Sequence, residues 1–222
     1  MGINSKLSVV RMNTEQIASF KDCYIMQPDD IGRFAETLAD GFSQYDLFRH
    51  ICGGEYDYEK MQLFWAVSLA LLPDDAICIA DSKEVNSVLV YICSKSKEVN
   101  ALSYVKSGVG IKLVLKLGLR SIIRLSRFEA EAQRVAKRYK TSNDGYLMAF
   151  ATRIDKQRQG YGKTIVSALL NYLDTHREGC YLETLKAGNV DLYEHLSFQL
   201  KEQKNIQLGD LTLYAMHRPV RE

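Results

Sequence analysis

One stretch of the 222-residue chain, residues 146–173, leaves little choice of local fold. An apolar run, Tyr146-Leu147-Met148-Ala149-Phe150-Ala151, gives way to a polar loop over 152–159 and then to Gly160-Tyr161-Gly162-Lys163. Beyond the glycines, Ile165, Leu169 and Leu173 recur at helical spacing, with Val166 and Leu170 beside them. That pattern predicts a strand, a loop and a helix with one apolar face. Glycine at the turn into such a helix lets a ligand approach the backbone closely. The helix N-terminus adds unpaired N–H groups and the positive end of the helix dipole, which together bind phosphate. The stretch reads as a pyrophosphate cradle.

The flanking segments supply layers for it to pack against. A short strand at 24–26 ends at Pro28-Asp29-Asp30, which also caps the next helix. In that helix Ile31, Phe34, Ala35, Leu38, Ala39 and Phe42 share one face. Gly53-Gly54 breaks the chain after Tyr45, Leu47 and Phe48, and a further helix carries Met61, Phe64, Trp65, Val67 and Leu69. Segments 76–80 and 85–93 are short and nearly continuous in apolar character, as buried strands are. Downstream come a strand at 180–185, a short helix at 190–196 and a terminal hairpin, 200–206 with 211–216, around Leu208-Gly209-Asp210. Helices, then strands alternating with helices, then a hairpin predict one α/β domain over 1–222 with a mixed sheet flanked by helices.

Residues 108–140 contain no proline and predict a long helix. Ile111, Leu115, Leu119, Ile122 and Leu125 face one way, while Lys112, Lys116, Arg120 and Arg124 run at four-residue steps ahead of Arg127, Arg134 and Arg138. A basic amphipathic helix can lie on a membrane or grip phosphates. The commoner role is packing on the domain with a solvated basic face, and Glu129 and Glu131, which dilute the stripe, favour it. A net charge of +2 makes no case for nucleic acid. Five scattered cysteines without CxxC spacing suit reduced thiols, no apolar run reaches roughly 18 residues, and no signal layout opens the chain, so the expected compartment is the cytoplasm.

The glycines alone do not name the ligand. A dinucleotide fingerprint needs a third glycine where Ile165 stands, and no Walker loop can be read in the chain. Gln157-Arg158-Gln159-Gly160-Tyr161-Gly162 does resemble the Gln/Arg-x-x-Gly-x-Gly/Ala loop of the GNAT superfamily of acetyl-CoA-dependent N-acetyltransferases. A second block is similar to the strand and helix that follow in that family: Tyr181-Leu182-Glu183-Thr184, then Asn189, then Leu192-Tyr193-Glu194-His195-Leu196-Ser197-Phe198. Ile154 stands where proline is common, and Ser197 replaces the usual glycine. Segment 108–140 is longer than the family's usual connection, and resembles the insertion of the puromycin-type acetyltransferases.

The resemblance implies a single GNAT-like domain with a mostly antiparallel sheet, a helical insertion over 108–140 and an acetyl-CoA-binding core over 146–198. It implies acetyl-CoA as cosubstrate, no metal, and direct transfer to a primary amine of a small molecule or peptide. Phe150, Ala151 and Thr152 would take the pantetheine arm and Gln157, Arg158, Gln159, Gly160, Tyr161, Gly162, Lys163 and Thr164 the pyrophosphate, with Asn189 a further cofactor contact. Tyr193 falls at the general-acid position, where a phenol that stays protonated at neutral pH can donate to a leaving thiolate. Glu183, on the preceding strand, is the candidate base. Tyr45, Phe48, Tyr56, Tyr58, Phe64 and Trp65 lie on the helices that would cover the acceptor, although such aromatics are more often core than pocket wall. His50 and His195 have no metal-ligand partners at useful spacing. Monomer and homodimer both remain open. So does a second reading, a non-catalytic CoA-binding or interaction protein docking through its basic helix.

Overall fold

The computed structural model describes residues 12–96, 115–206 and 210–221, so 108–114 of the basic segment and the 207–209 turn of the terminal hairpin lie outside the described residues. The elements follow in the order α1 (Thr14–Ser19), β1 (Tyr24–Ile25), α2 (Ile31–Gly41), α3 (Asp46–Cys52), α4 (Tyr58–Ala70), β2 (Ile77–Ala80), β3 (Ser87–Ile92), α5 (Leu119–Tyr139), β4 (Asp144–Thr152), α6 (Tyr161–His176), β5 (Gly179–Thr184), α7 (Gly188–His195), β6 (Gln199–Ile206) and β7 (Leu211–Arg218). The strands form one seven-stranded sheet in the order β1-β2-β3-β4-β5-β7-β6. Every pair is antiparallel except β4 with β5. The α/β class and the mixed, mostly antiparallel sheet expected from the sequence are what the chain forms.

Helices cover both faces, which is why the central strands read as continuous apolar runs rather than alternating ones. Along β2, Cys78 and Ala80 pack into the layer under α2, α3, α4 and α5, whereas Ile77 and Ile79 pack with Phe20, Ile165, Leu169 and Leu173 on the other face. Helix α2 follows its predicted stripe, burying Phe34, Ala35, Leu38 and Ala39. Helix α3 is an addition to the expected elements. It ends at Gly53, whose φ of 104° lets the N–H groups of Gly53 and Gly54 reach back to the Arg49 carbonyl.

The long basic segment differs from one unbroken helix. Gly118, at φ 82° and ψ 149°, interrupts it, and α5 starts afresh at Leu119. Val135 and Ala132 anchor α5 on the core, with Ile122, Leu125, Phe128 and Ala136 packed beside them. Much of its charge is used within the fold. Arg134 pairs with Glu131, Lys204 reaches Glu131 at 2.7 Å, Arg138 reaches Glu202 at 2.6 Å, and Arg124 donates to the Ile51 carbonyl at the end of α3.

Two details of β4 decide the shape of the centre. Its pairing with β3 slips between Val90, opposite Ala149, and Tyr91, opposite Leu147, so Met148 is an extra residue, a β-bulge. A bulge bends its strand and sharpens the local twist. On the other edge, β4 pairs with β5 only at Asp144, Gly145 and Tyr146, opposite Gly179, Cys180 and Tyr181. Past Tyr146 and Tyr181, ahead of the bulge, the two strands part. A wedge therefore opens at the C-terminal ends of β4 and β5, between residues 147–152 and 182–184.

Candidate active site

Helix α6 points its N-terminus at this end of the sheet. The connection from β4 is a short 3-10 turn, Ile154–Lys156, tied down where the Ile154 N–H donates to Asp40 at 2.7 Å and the Gln157 amide donates to the Thr152 carbonyl at 3.2 Å. Gly160 caps the helix at φ 89°, a left-handed conformation that a side chain would strain, and a Cβ there would have no neighbour within 4 Å. Gly162 has a different reason. A Cβ on it would lie 2.8 Å from the Phe150 ring and 3.4 Å from the Thr152 hydroxyl, so the missing side chain here lets α6 close on β4, while its backbone N–H stays at the helix end. The Lys163 N–H takes the Gly160 carbonyl at 3.0 Å, which leaves the amides of Tyr161 and Gly162 as the helix-end donors. Arg158, Gln159, Gly160, Lys163 and Thr164 are exposed around them. The backbone donors, the adjoining cations and the open side of Gly160 fit a diphosphate.

An open cleft of about 520 Å³ runs along the outer side of this helix end, against the β2–β3 turn. Asp81 and Glu84 form one wall, and Gln159, Gly160, Tyr161 and Thr164 the other. The Asp81 carboxylate is occupied with its own turn, accepting from the Ser87 N–H at 2.7 Å and the Ser82 hydroxyl at 2.9 Å. Neither Glu183 nor Tyr193 lines this cleft. The carboxylates disfavour an anion on that wall, so the inner, strand side of the helix end is the better phosphate seat.

The two candidate proton-transfer groups lie on opposite faces of the sheet. Tyr193 comes from α7 and belongs to the layer shared with α6, 8% exposed and edge-on to Phe198 at 5.6 Å. Burial first, then the neighbouring Tyr45 phenol and Cys180, push its phenol further up, so it stays protonated and a donor. Glu183 is two residues beyond Tyr181 on β5 and so shares its face, the one turned to α5. It is partly exposed and has no ion-pair partner within the described residues. Burial pushes its carboxyl up from 4.5 to about 7, against the pull of the Tyr146 and Tyr181 phenols and of Lys140. A carboxylate with that affinity is suited to accept a proton at neutral pH.

Tyr45 has a role that the chain did not signal. Its hydroxyl lies 2.6 Å from the Thr184 hydroxyl and accepts from the Leu185 N–H at 2.9 Å, which fixes the end of β5 to the helical layer. Thr184 also accepts from the Asn189 amide at 3.0 Å. Asn189, expected at the cofactor, thus holds the β5–α7 turn through that amide. Of the early-helix aromatics, Phe48 and Trp65 are core, the commoner role for such residues, 6% and 4% exposed, and Phe42 stacks on Trp65 at 5.2 Å. The Tyr56 hydroxyl is spent on the Ala39 carbonyl, and Tyr58 is exposed. His195 bonds the Asp191 carbonyl of its own helix at 2.6 Å. Among the described residues no group of three or more His, Cys, Asp or Glu converges as a metal site requires, and no helix is long and apolar enough to cross a membrane.

No protein-family model matches the chain, and no curated protein does. Solved structures do. A histone acetyltransferase HPA2 and related acetyltransferase from Corynebacterium glutamicum superposes with a TM-score of 0.60 at 18% identity, over 90% of this chain and 96% of that one. An N-acetyltransferase from Staphylococcus aureus gives a TM-score of 0.55 at 13% identity, over 88% and 98%. A mutant agmatine N-acetyltransferase in its apo form gives 0.53 at 9% identity, over 88% and 97%. This chain shares the fold of these acetyltransferases.

Proposed function

We propose that this chain, folded as a GNAT acetyltransferase is, transfers an acetyl group from acetyl-CoA to a primary amine of a small molecule or peptide within a ternary complex. One observation supports the reading: β4 and β5 part beyond Tyr146 and Tyr181, leaving a wedge with Glu183 on one strand and, after the other, a helix end fit for a diphosphate. The thioester supplies the activated acyl group. The amides of Tyr161 and Gly162 hold the diphosphate with Arg158 and Lys163 nearby, and the edge of β4 at 150–152, released from β5, offers backbone donors and acceptors to the pantetheine arm. Alignment of the two reactants accounts for several kcal/mol of the barrier. The amine nitrogen attacks the thioester carbonyl, the C–S bond breaks, Tyr193 protonates the departing sulfur, and Glu183 takes the proton that the amine gives up. Cytoplasmic location and a one-domain organisation over 1–222 accompany this reading.

Thermal unfolding tests the cofactor first. Acetyl-CoA at about 100 times its dissociation constant should stabilise the fold by roughly 2.7 kcal/mol, a rise of several degrees, with NAD as the inert control. No shift would remove the reading. Tyr193→Phe should keep that thermal shift while thiol release with an accepted amine falls about 100-fold. An unchanged rate would take Tyr193 out of the mechanism.

A further inference from the structure

Beside Glu183 stand two phenols whose positions follow from strand register. Tyr146 and Tyr181 are the last opposed residues of β4 and β5 before the strands part, and their rings stack at 6.3 Å with an interplanar angle of 27°. Glu183 follows Tyr181 on the same side of β5, one step into the wedge. The three side chains therefore form a row on one face, the phenol pair at the closed end and the carboxyl at the opening. Tyr181 is 0% exposed, and its hydroxyl has no hydrogen-bond partner among the described residues. A buried hydroxyl left in that state costs stability unless a neighbouring acceptor can take it up.

We propose that Tyr146 and Tyr181 are positioning residues for Glu183, paired donors that hold its carboxyl at the mouth of the wedge and favour its ionised form as the amine arrives. The inference rests on the base role given above to Glu183. Protonated phenols can donate to a carboxylate, and such bonds favour the charged form. Both phenols stay protonated, pushed up first by burial and then by Glu183 itself. The other charged groups facing the row are few. Lys140, with its Nζ 6.0 Å from the Tyr146 ring, pulls Glu183 down. Glu129 acts on Tyr146 from α5, and Glu202, paired with Arg138, acts on Tyr181. No cation is ion-paired with Glu183 or Glu129 among the described residues. The phenols, with Lys140 behind them, are then the groups that offset burial of this carboxyl.

The test reads Glu183 directly and through turnover. Carbon-13 NMR of the glutamate carboxyls, with Glu183→Gln assigning the signal, follows its titration without any substrate. Tyr146→Phe deletes one hydroxyl, and the titration of Glu183 should move up by about one pH unit. The acidic limb of kcat/KM against pH should move with it, with the wild-type plateau regained at higher pH, and Tyr181→Phe should act in the same direction. If the titration stays where it is in Tyr146→Phe, whose fold the thermal midpoint checks, the proposal is overturned. If the titration moves and the rate profile does not, the phenols hold the carboxyl but Glu183 is not the base, and the mechanism above is what falls. Loss of turnover at every pH, with no recovery, would mark Tyr146 as a structural residue and overturn the positioning role.

Discussion

Strands β4 and β5 behave as two different objects at their two ends. At the start they pair, and the carboxylates around them are engaged: Asp144 faces His217 at 3.0 Å and accepts from the Thr141 N–H at 2.6 Å, and the fully buried Arg218 reaches Asp174 at 2.6 Å. At the finish they separate, and Glu183, left there on β5, has no ion-pair partner among the described residues. The difference is legible in the two carboxylates. Burial pushes Asp144 up, but His217 and Thr141 outweigh it and hold the carboxyl below its ordinary range, while Glu183 rises to about 7. One end of the strand pair spends its carboxylate on the fold, and the other leaves its carboxyl without an ion-pair partner among the described residues.

The contrast can be broken most sharply at its closed end. Asp144→Ala leaves the buried His217 ring and the Thr141 N–H without their acceptor and should lower unfolding stability by about 3 kcal/mol in urea titration. A change under about 0.5 kcal/mol would mean that the pairing there carries little. The glycines come next. Gly162→Ala meets the Phe150 ring and should cost roughly 1–3 kcal/mol in the absence of any ligand, whereas Gly160→Asp should mainly abolish the acetyl-CoA-dependent thermal shift by placing a carboxylate at the helix end. If the two variants exchanged phenotypes, the assignment of one glycine to packing and the other to ligand would be reversed. The smallest effect is the pH signature. Asp144, lowered in the folded state, contributes stability above its ordinary 3.8 that is lost as pH falls through the folded value. Glu183, raised in the folded state, withdraws stability as pH climbs from 4.5 to about 7. Glu183→Gln should flatten that second slope, by roughly 1–2 kcal/mol after allowance for its partial exposure. A slope that survives the substitution would assign it to another group.

Much of this was legible in the chain. The run from Tyr146 to Ala151, the glycines and the apolar spacing behind them gave strand, loop and helix, because each rests on local periodicity and backbone freedom. Tyr193 and Glu183 stood out through the blocks around them. What stayed hidden depends on tertiary neighbours. Nothing near Gly162 in sequence says that Phe150 will sit against it, and the Tyr45–Thr184 bond spans 139 positions. Helix α3, at seven residues, is too short for its period to repeat. How far two parallel strands remain paired is a property of register, which alternation alone does not reveal.

Met148 deserves a final consequence. Across the bulge Leu147 packs with the α6 layer, yet Ala149, two positions on, packs with the layer of α2 to α5. Remove Met148 and every other side chain of β4 would keep the face it has, since regular alternation would then run unbroken through 147 and 149. The deletion would leave sidedness intact and take away the bend. The hollow in this sheet lies beside a surplus: a single supernumerary residue, silent in the inside–outside code of the strand, stands two positions past the point where two neighbours stop pairing.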